Sequence, residues 1–190
     1  PVQFLLDGGD IRQIRLGGRE IVRRSHVAVR DCTWGTVPGV ISNYHEESRQ
    51  AGFCISFCCE HLQGQIDYQW DATIEGQMLT GDGDPEVQVR FAMDGRARRT
   101  FRTNRTGICV LHPTTEYAGQ PCTIEYPDGT KEEIEFPSQI APHSPYTGIC
   151  AMTFEPMPGV RVELCFEGEV FEMEDQRNWT DASFKIYCTP

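Results

Sequence analysis

Apolar and polar residues alternate with a period of two along most of this chain, and turn-forming residues interrupt the alternation at roughly 8 to 12 residue intervals. Successive side chains of a strand point to opposite faces, so this rhythm belongs to half-buried strands. No long segment repeats at 3.6 residues; only 43–50 and 114–119 read as helical turns. The pattern therefore predicts an all-β chain, a large antiparallel β-sandwich. Four hairpins are expected: IRQIRL and REIVRR around Gly17-Gly18, VQVRFAM and RARRTFR around Asp94-Gly95, CTIEYP and TKEEIEF around Asp128-Gly129, and ICAMTFE and VRVELCFEGEVF around Pro158-Gly159. GFCISFCC and GQIDYQW supply two more strands, the first nearly all apolar. Strands this numerous build one continuous core with no internal linker, so residues 1–190 are expected to form a single domain. The stop at Thr189-Pro190, directly after a strand, reads as a cut.

Charge narrows the partners. With 28 acidic against 17 basic residues the net charge is −11, which repels phosphate backbones and argues against nucleic acid. No apolar run approaches the roughly 20 residues that span a bilayer, so no membrane partner is expected. PVQFLLDGGD lacks the charged start and apolar core of a signal peptide. The nine cysteines include no CxxC pair and sit mostly in apolar strand contexts, as in GFCISF, GICVL and VELCF. They read as reduced, mostly buried small hydrophobes in a cytoplasmic protein, not as zinc ligands. Two N-x-[ST] sequons, at Asn104 and Asn178, point the other way but fall inside candidate functional segments. Acidic residues are plentiful, yet no spacing fits an EF-hand, and GDGD at 81–84 lacks the rest of that loop. No metal or other cofactor is expected.

Chemistry concentrates in FEMEDQRNWTDASFKIY, residues 171–187. Alternation is lost from Glu172 to Asp181, which predicts a loop held by strands at both ends. It offers Glu172, Glu174, Asp175, Arg177, Asn178, Trp179 and Asp181, groups suited to a polyhydroxylated small molecule and equally to a salt-bridged surface loop. Two carboxylates in different surroundings can divide into acid and base. In VRDCTWGTVP, Arg30 and Trp34 leave a strand for a loop, and Trp34 serves either as a sugar-stacking platform or as a core plug. In NRTGICVLHP, Asn104 and Arg105 start a short strand that ends at His112-Pro113. Arg105 can fork onto an oxyanion, and His112 is either a core histidine or a substrate-facing one. FPSQIAPHSPY, with its three prolines, reads as a stiff architectural segment.

GGREIVR, VAVRDCTWGT, NRTGICVLHP, FPSQIAPHSP and FEMEDQRNWTDASFK resemble, in this order, the motifs of the D-apionate lactonase family. The resemblance implies a bacterial hydrolase of carbohydrate metabolism that opens D-apionolactone to D-apionate in apiose catabolism. It further implies that this is the N-terminal β domain, followed by a TIM barrel and a small C-terminal β domain. NR…LHP is also similar to galactose-mutarotase-like supersandwich domains, which bind sugars on a concave sheet. Family likeness assigns no role to any residue here.

Opening a lactone needs a base for water and a group facing the carbonyl oxygen as it becomes anionic. Glu174 or Asp175 is the expected base, with His112, Arg177 or Arg105 at the oxyanion. Substrate contacts are expected from Asn104, Arg105, Arg30, Trp34, Glu172, Asn178, Trp179 and Asp181, with Trp34 and Trp179 flanking the sugar. No G-x-S-x-G elbow supplies a serine nucleophile. A carbohydrate-binding or structural module supporting an absent TIM barrel is the alternative. A mutarotase-like epimerase using His112 with Glu172 is another. Every version of the site expects 105–112 and 172–181 to meet in one cleft.

Overall fold

The structure, a computed structural model, describes residues 2–79 and 85–188; GDGD at 81–84 and the dipeptide 189–190 lie outside the described residues. In chain order its elements are β1 (Val2–Asp7), β2 (Asp10–Leu16), β3 (Arg19–Asp31), β4 (Val40–Arg49), β5 (Gly52–Gln63), β6 (Ile66–Leu79), β7 (Glu86–Ala97) and β8 (Thr103–Pro113). A single helical turn, α1 (Thr114–Tyr117), precedes β9 (Pro121–Glu125), β10 (Lys131–Glu135), β11 (Tyr146–Ile149), β12 (Ala151–Met157), β13 (Val160–Cys165), β14 (Phe171–Asp175) and β15 (Ser183–Cys188). The fold is all-β and its sheets are antiparallel, as the alternation predicts. No helix among the described residues is long and apolar enough to cross a membrane.

The chain divides into two compact units, Pro1–Val27 with Gly107–Pro190, and Ala28–Thr106. The first holds a seven-stranded sheet ordered β1-β2-β3-β8-β15-β14-β11 and a four-stranded sheet ordered β10-β9-β12-β13. One apolar core lies between them. Val110, Phe171, Met173, Phe184 and Ile186 come from the large sheet, and Cys122, Ile124, Ile134, Met152 and Phe154 from the small one. Each large side chain buried this way contributes about 1.5–3 kcal/mol relative to exposure. The second unit is the meander β4-β5-β6-β7. Its inward row carries Ile55, Phe57, Trp70 and Ile74, while Arg98–Asp67 (2.7 Å) and Arg49–Glu75 (3.2 Å) pair on the polar face.

Three hairpins fall where the turn residues place them. Gly17, at φ +60°, lets Leu16 pair with Arg19. The Asp128-Gly129 and Pro158-Gly159 turns join β9 to β10 and β12 to β13. Three expectations fail. Asp94-Gly95 is no turn: β7 runs through it, with Asp94 opposite Asp71 and Gly95 opposite Trp70. A Cβ on Gly95 would lie 1.7 Å from the Tyr68 hydroxyl oxygen, so this glycine leaves room for a ring lying across the strand. Residues 43–50, expected as a helical turn, belong mostly to β4, because pairing with β5 outweighs weak local propensity. VRVELCFEGEVF is broken after Cys165, and its last residue, Phe171, opens β14 of the other sheet.

Candidate functional site

The segment that lost its alternation is only half a loop. Phe171–Asp175 is strand β14, paired with β15 so that Glu172 faces Tyr187, Glu174 faces Lys185 and Asp175 faces Phe184. The chain then makes one 3-10 turn, Gln176–Trp179, and reverses at Thr180, which takes a left-handed φ of +67°. β15 follows and pairs with β8, placing Phe184 opposite His112 and Lys185 opposite Leu111. These registers sort the reactive residues onto two faces of one sheet. Asp175, Phe184 and His112 look into the core. Glu172, Glu174, Lys185 and Tyr187 occupy the opposite face.

This sorting corrects the expected site. His112 has no exposed surface and sits against the rings of Tyr117, Phe136 and Phe154, with centroids 5.5–5.9 Å away. Burial pushes its pKa down to about 4, and among the described residues neither ring nitrogen has a hydrogen-bond partner. It is a neutral core histidine facing away from Glu172, and the acid–base pair that epimerase chemistry needs is not formed. Asp175 is equally buried. Its oxygens accept bonds from Arg177 Nε (2.9 Å), Arg177 Nη2 (2.7 Å) and the Ala141 amide (2.9 Å). Burial alone would raise the Asp175 pKa, but these donors hold it below the usual carboxylate value.

Arg177 is committed to the same interaction. Its guanidinium donates to the carbonyls of Pro137 (2.7 Å), Ser138 (3.2 Å) and Gln139 (2.9 Å) and lies 5.1 Å from the Phe184 ring centroid. Asn178 adds its amide to the carbonyls of Ala141 (2.8 Å) and Asp175 (3.0 Å). DQRN is thus the clamp that holds the extended FPSQIAPH segment, with its side chains donating to the carbonyls of residues 137–139 and Ala141.

The opposite face carries a connected polar row. Trp179 is 61% exposed, and its indole N–H donates to Glu174 Oε1 at 2.7 Å. Glu174, only 6% exposed, pairs through Oε2 with Lys185. The Lys185 ammonium lies 4.4 Å from the Tyr187 ring centroid, and the Tyr187 hydroxyl donates to Glu172, which also accepts from Ser144 (3.4 Å). Asp181 accepts from the Ser183 hydroxyl at 2.9 Å. Lys185, one of the reactive side chains of 171–187, was given no role in the site from the sequence, and neither were Tyr187 and Ser144. For Lys185 and Tyr187 the signal was the resumed alternation Ser183, Lys185, Tyr187, which puts both on the face of Glu174; Ser144 had no such signal.

The remaining candidates belong to the second unit. Arg30 donates to the Thr36 hydroxyl, and its carbonyl accepts from Thr103 at 2.5 Å, which joins the 29–38 loop to the strand bearing Asn104 and Arg105. Asp31 ties this loop through Thr33 and Gly35, and Trp34 stands at its tip, 59% exposed and at φ +69°. Trp34 is therefore no core plug. Among the described residues no group of three or more His, Cys, Asp or Glu is arranged to hold a metal ion. The groove formed by Pro121, Glu132, Glu133, Ile134, Glu135 and Tyr146 contains none of the candidate residues.

The profile of a family described as D-apionate lactonase, N-terminal domain, matches residues 1–190. D-apionate lactonase of Brucella anthropi is 36% identical over 185 residues, covering 97% of this chain. The chain spans 29% of that relative's length.

Proposed function

Because this chain belongs to the D-apionate lactonase N-terminal domain family, we propose that it serves a hydrolase acting on a small sugar lactone such as D-apionolactone. Within that enzyme it is the carbohydrate-binding part, with the Trp179 face as the surface that receives the sugar. The carrying observation is the exposed indole fixed by Glu174, beside the polar row of Lys185, Tyr187 and Glu172. An aromatic face takes the C–H side of a sugar ring, and flanking carboxylates and an ammonium take its hydroxyls. Arg30, Trp34, Asn104 and Arg105 are a second set of candidate sugar contacts in the other unit.

Water activation belongs, on this reading, to the portion of the longer enzyme outside this chain. A general base must reach a substrate water. Both Glu174 oxygens already accept bonds, and Asp175 and Arg177 are consumed by the clamp. A TIM barrel, which carries its chemistry at the C-terminal face, is the natural partner for a binding module of this kind. Turnover of D-apionolactone tests the division of labour. The isolated chain should not exceed spontaneous hydrolysis, and E174Q in the full-length enzyme should raise KM severalfold with kcat nearly unchanged. Turnover by the isolated chain that E174Q abolishes would contradict the proposal and restore Glu174 as the base.

A further inference from the structure

We infer that His61, a buried side chain with no place in the site described above, is the positioning residue that fixes the Trp34 loop. Its functional meaning rests on the reading of Trp34 as a sugar contact. Bonds at both ring nitrogens carry the inference. His61 Nδ1 lies 2.9 Å from the Val37 carbonyl oxygen. Its Nε2 accepts from the Trp70 indole N–H at 3.0 Å, with the Cys59 sulfur 3.6 Å away. A carbonyl only accepts and an indole N–H only donates, so the ring is neutral and carries its proton on Nδ1. Burial favours the same state by pushing the His61 pKa down.

The Val37 carbonyl is the root of the loop. Residues 37–39 belong to no strand, so a side chain supplies the partner that a ladder would otherwise give this buried carbonyl. Gly39 lies so close that a Cβ there would come 2.4 Å from the Cys59 sulfur and 2.9 Å from His61 Cε1. From this anchor the bonds run outward. The Val37 amide donates to the Val29 carbonyl at 2.9 Å, Thr36 bridges Arg30, and the Trp34 amide donates to the Asp31 carbonyl at 3.1 Å. Trp34, exposed and left-handed at φ +69°, is held in a conformation that persists only where its surroundings over-determine it. His61 ties that assembly to β5 and β6, and a platform already held in one pose pays less ordering entropy when a ligand arrives.

NMR on the 15N-labelled 190-residue chain tests the pin with three variants. H61N keeps a donor near the Nδ1 position for the Val37 carbonyl and gives up the Trp70 contact. H61Q places its amide near the Nε2 position, within reach of Trp70 but not of Val37, and H61A removes both bonds. The heteronuclear NOE of residues 32–35 should stay at the wild-type value in H61N and fall in H61Q and H61A. The Trp70 indole signal should move in H61N and stay nearly in place in H61Q. D-apionolactone affinity, read at the Trp34 indole signal that W34A assigns, should weaken about two- to tenfold in H61Q and H61A and hold in H61N. A loop that stays ordered in H61A and H61Q, or that loosens as much in H61N as in H61Q, would overturn the inference and leave His61 a general core residue. A Trp34 signal that lactone never shifts would overturn only the sugar reading of Trp34, since the loop NOE decides the pin without any ligand.

Discussion

Arg177 makes five side-chain hydrogen bonds, two to Asp175 and three to the carbonyls of residues 137–139. Removing it leaves a carboxylate with no exposed surface and no counter-charge. Breaking such a buried pair from one side costs about 3 to 5 kcal/mol, and R177A should lower stability by that order in denaturant unfolding. R177K should rescue only part, since an ammonium cannot reproduce the planar fork. His112 makes a separate prediction. Its folded pKa of about 4 lies below the roughly 6.5 of an unfolded histidine, so between these values the unfolded chain binds more protons. Stability should therefore be complete above pH 6.5 and fall as pH drops toward 4, by roughly 3 kcal/mol. H112L should flatten the unfolding free energy over this window; an unchanged slope would mean that another group carries it.

At the scale of elements, Gly95 shows how a strong local signal is overruled. Asp-Gly between alternating segments is a standard hairpin cue, yet β7 passes through it fully paired to β6. The reason is Tyr68, whose hydroxyl occupies the space above Gly95 and whose ring packs edge-on to Phe101 at 6.3 Å. G95A should destabilise by about 1 to 3 kcal/mol, the usual cost of forcing atoms into a packed site. In the Tyr68→Ala background the same substitution should cost markedly less, a coupling that a double-mutant cycle in thermal unfolding would measure. Strictly additive effects would show that Gly95 has some other role. Turns with positive-φ glycines at chain reversals were legible from sequence because their cause is local. Gly95 was not, because its cause is a side chain 27 positions earlier in the chain.

Across the whole molecule, the all-β class and the family motifs were legible in the sequence, and the division into two units was not. Its boundaries fall within β3 and β8, two long strands, where no Pro- or Gly-rich linker marks them. The density of polar residues in 171–187 drew attention to the segment but did not show its two faces. Those faces follow from the β14–β15–β8 register, which turns Asp175 and His112 inward and Glu174 and Lys185 outward. Residue type alone made all of them look catalytic. The position of Trp179 on the outer face is the basis of the functional account, and it can be read directly. The chain contains three tryptophans, Trp34, Trp70 and Trp179, so a 15N-labelled sample gives three indole N–H signals, with W179A assigning one. Titration with D-apionolactone should shift the Trp179 signal saturably and leave buried Trp70 in place; a Trp179 signal that stays fixed at saturating lactone would contradict the account.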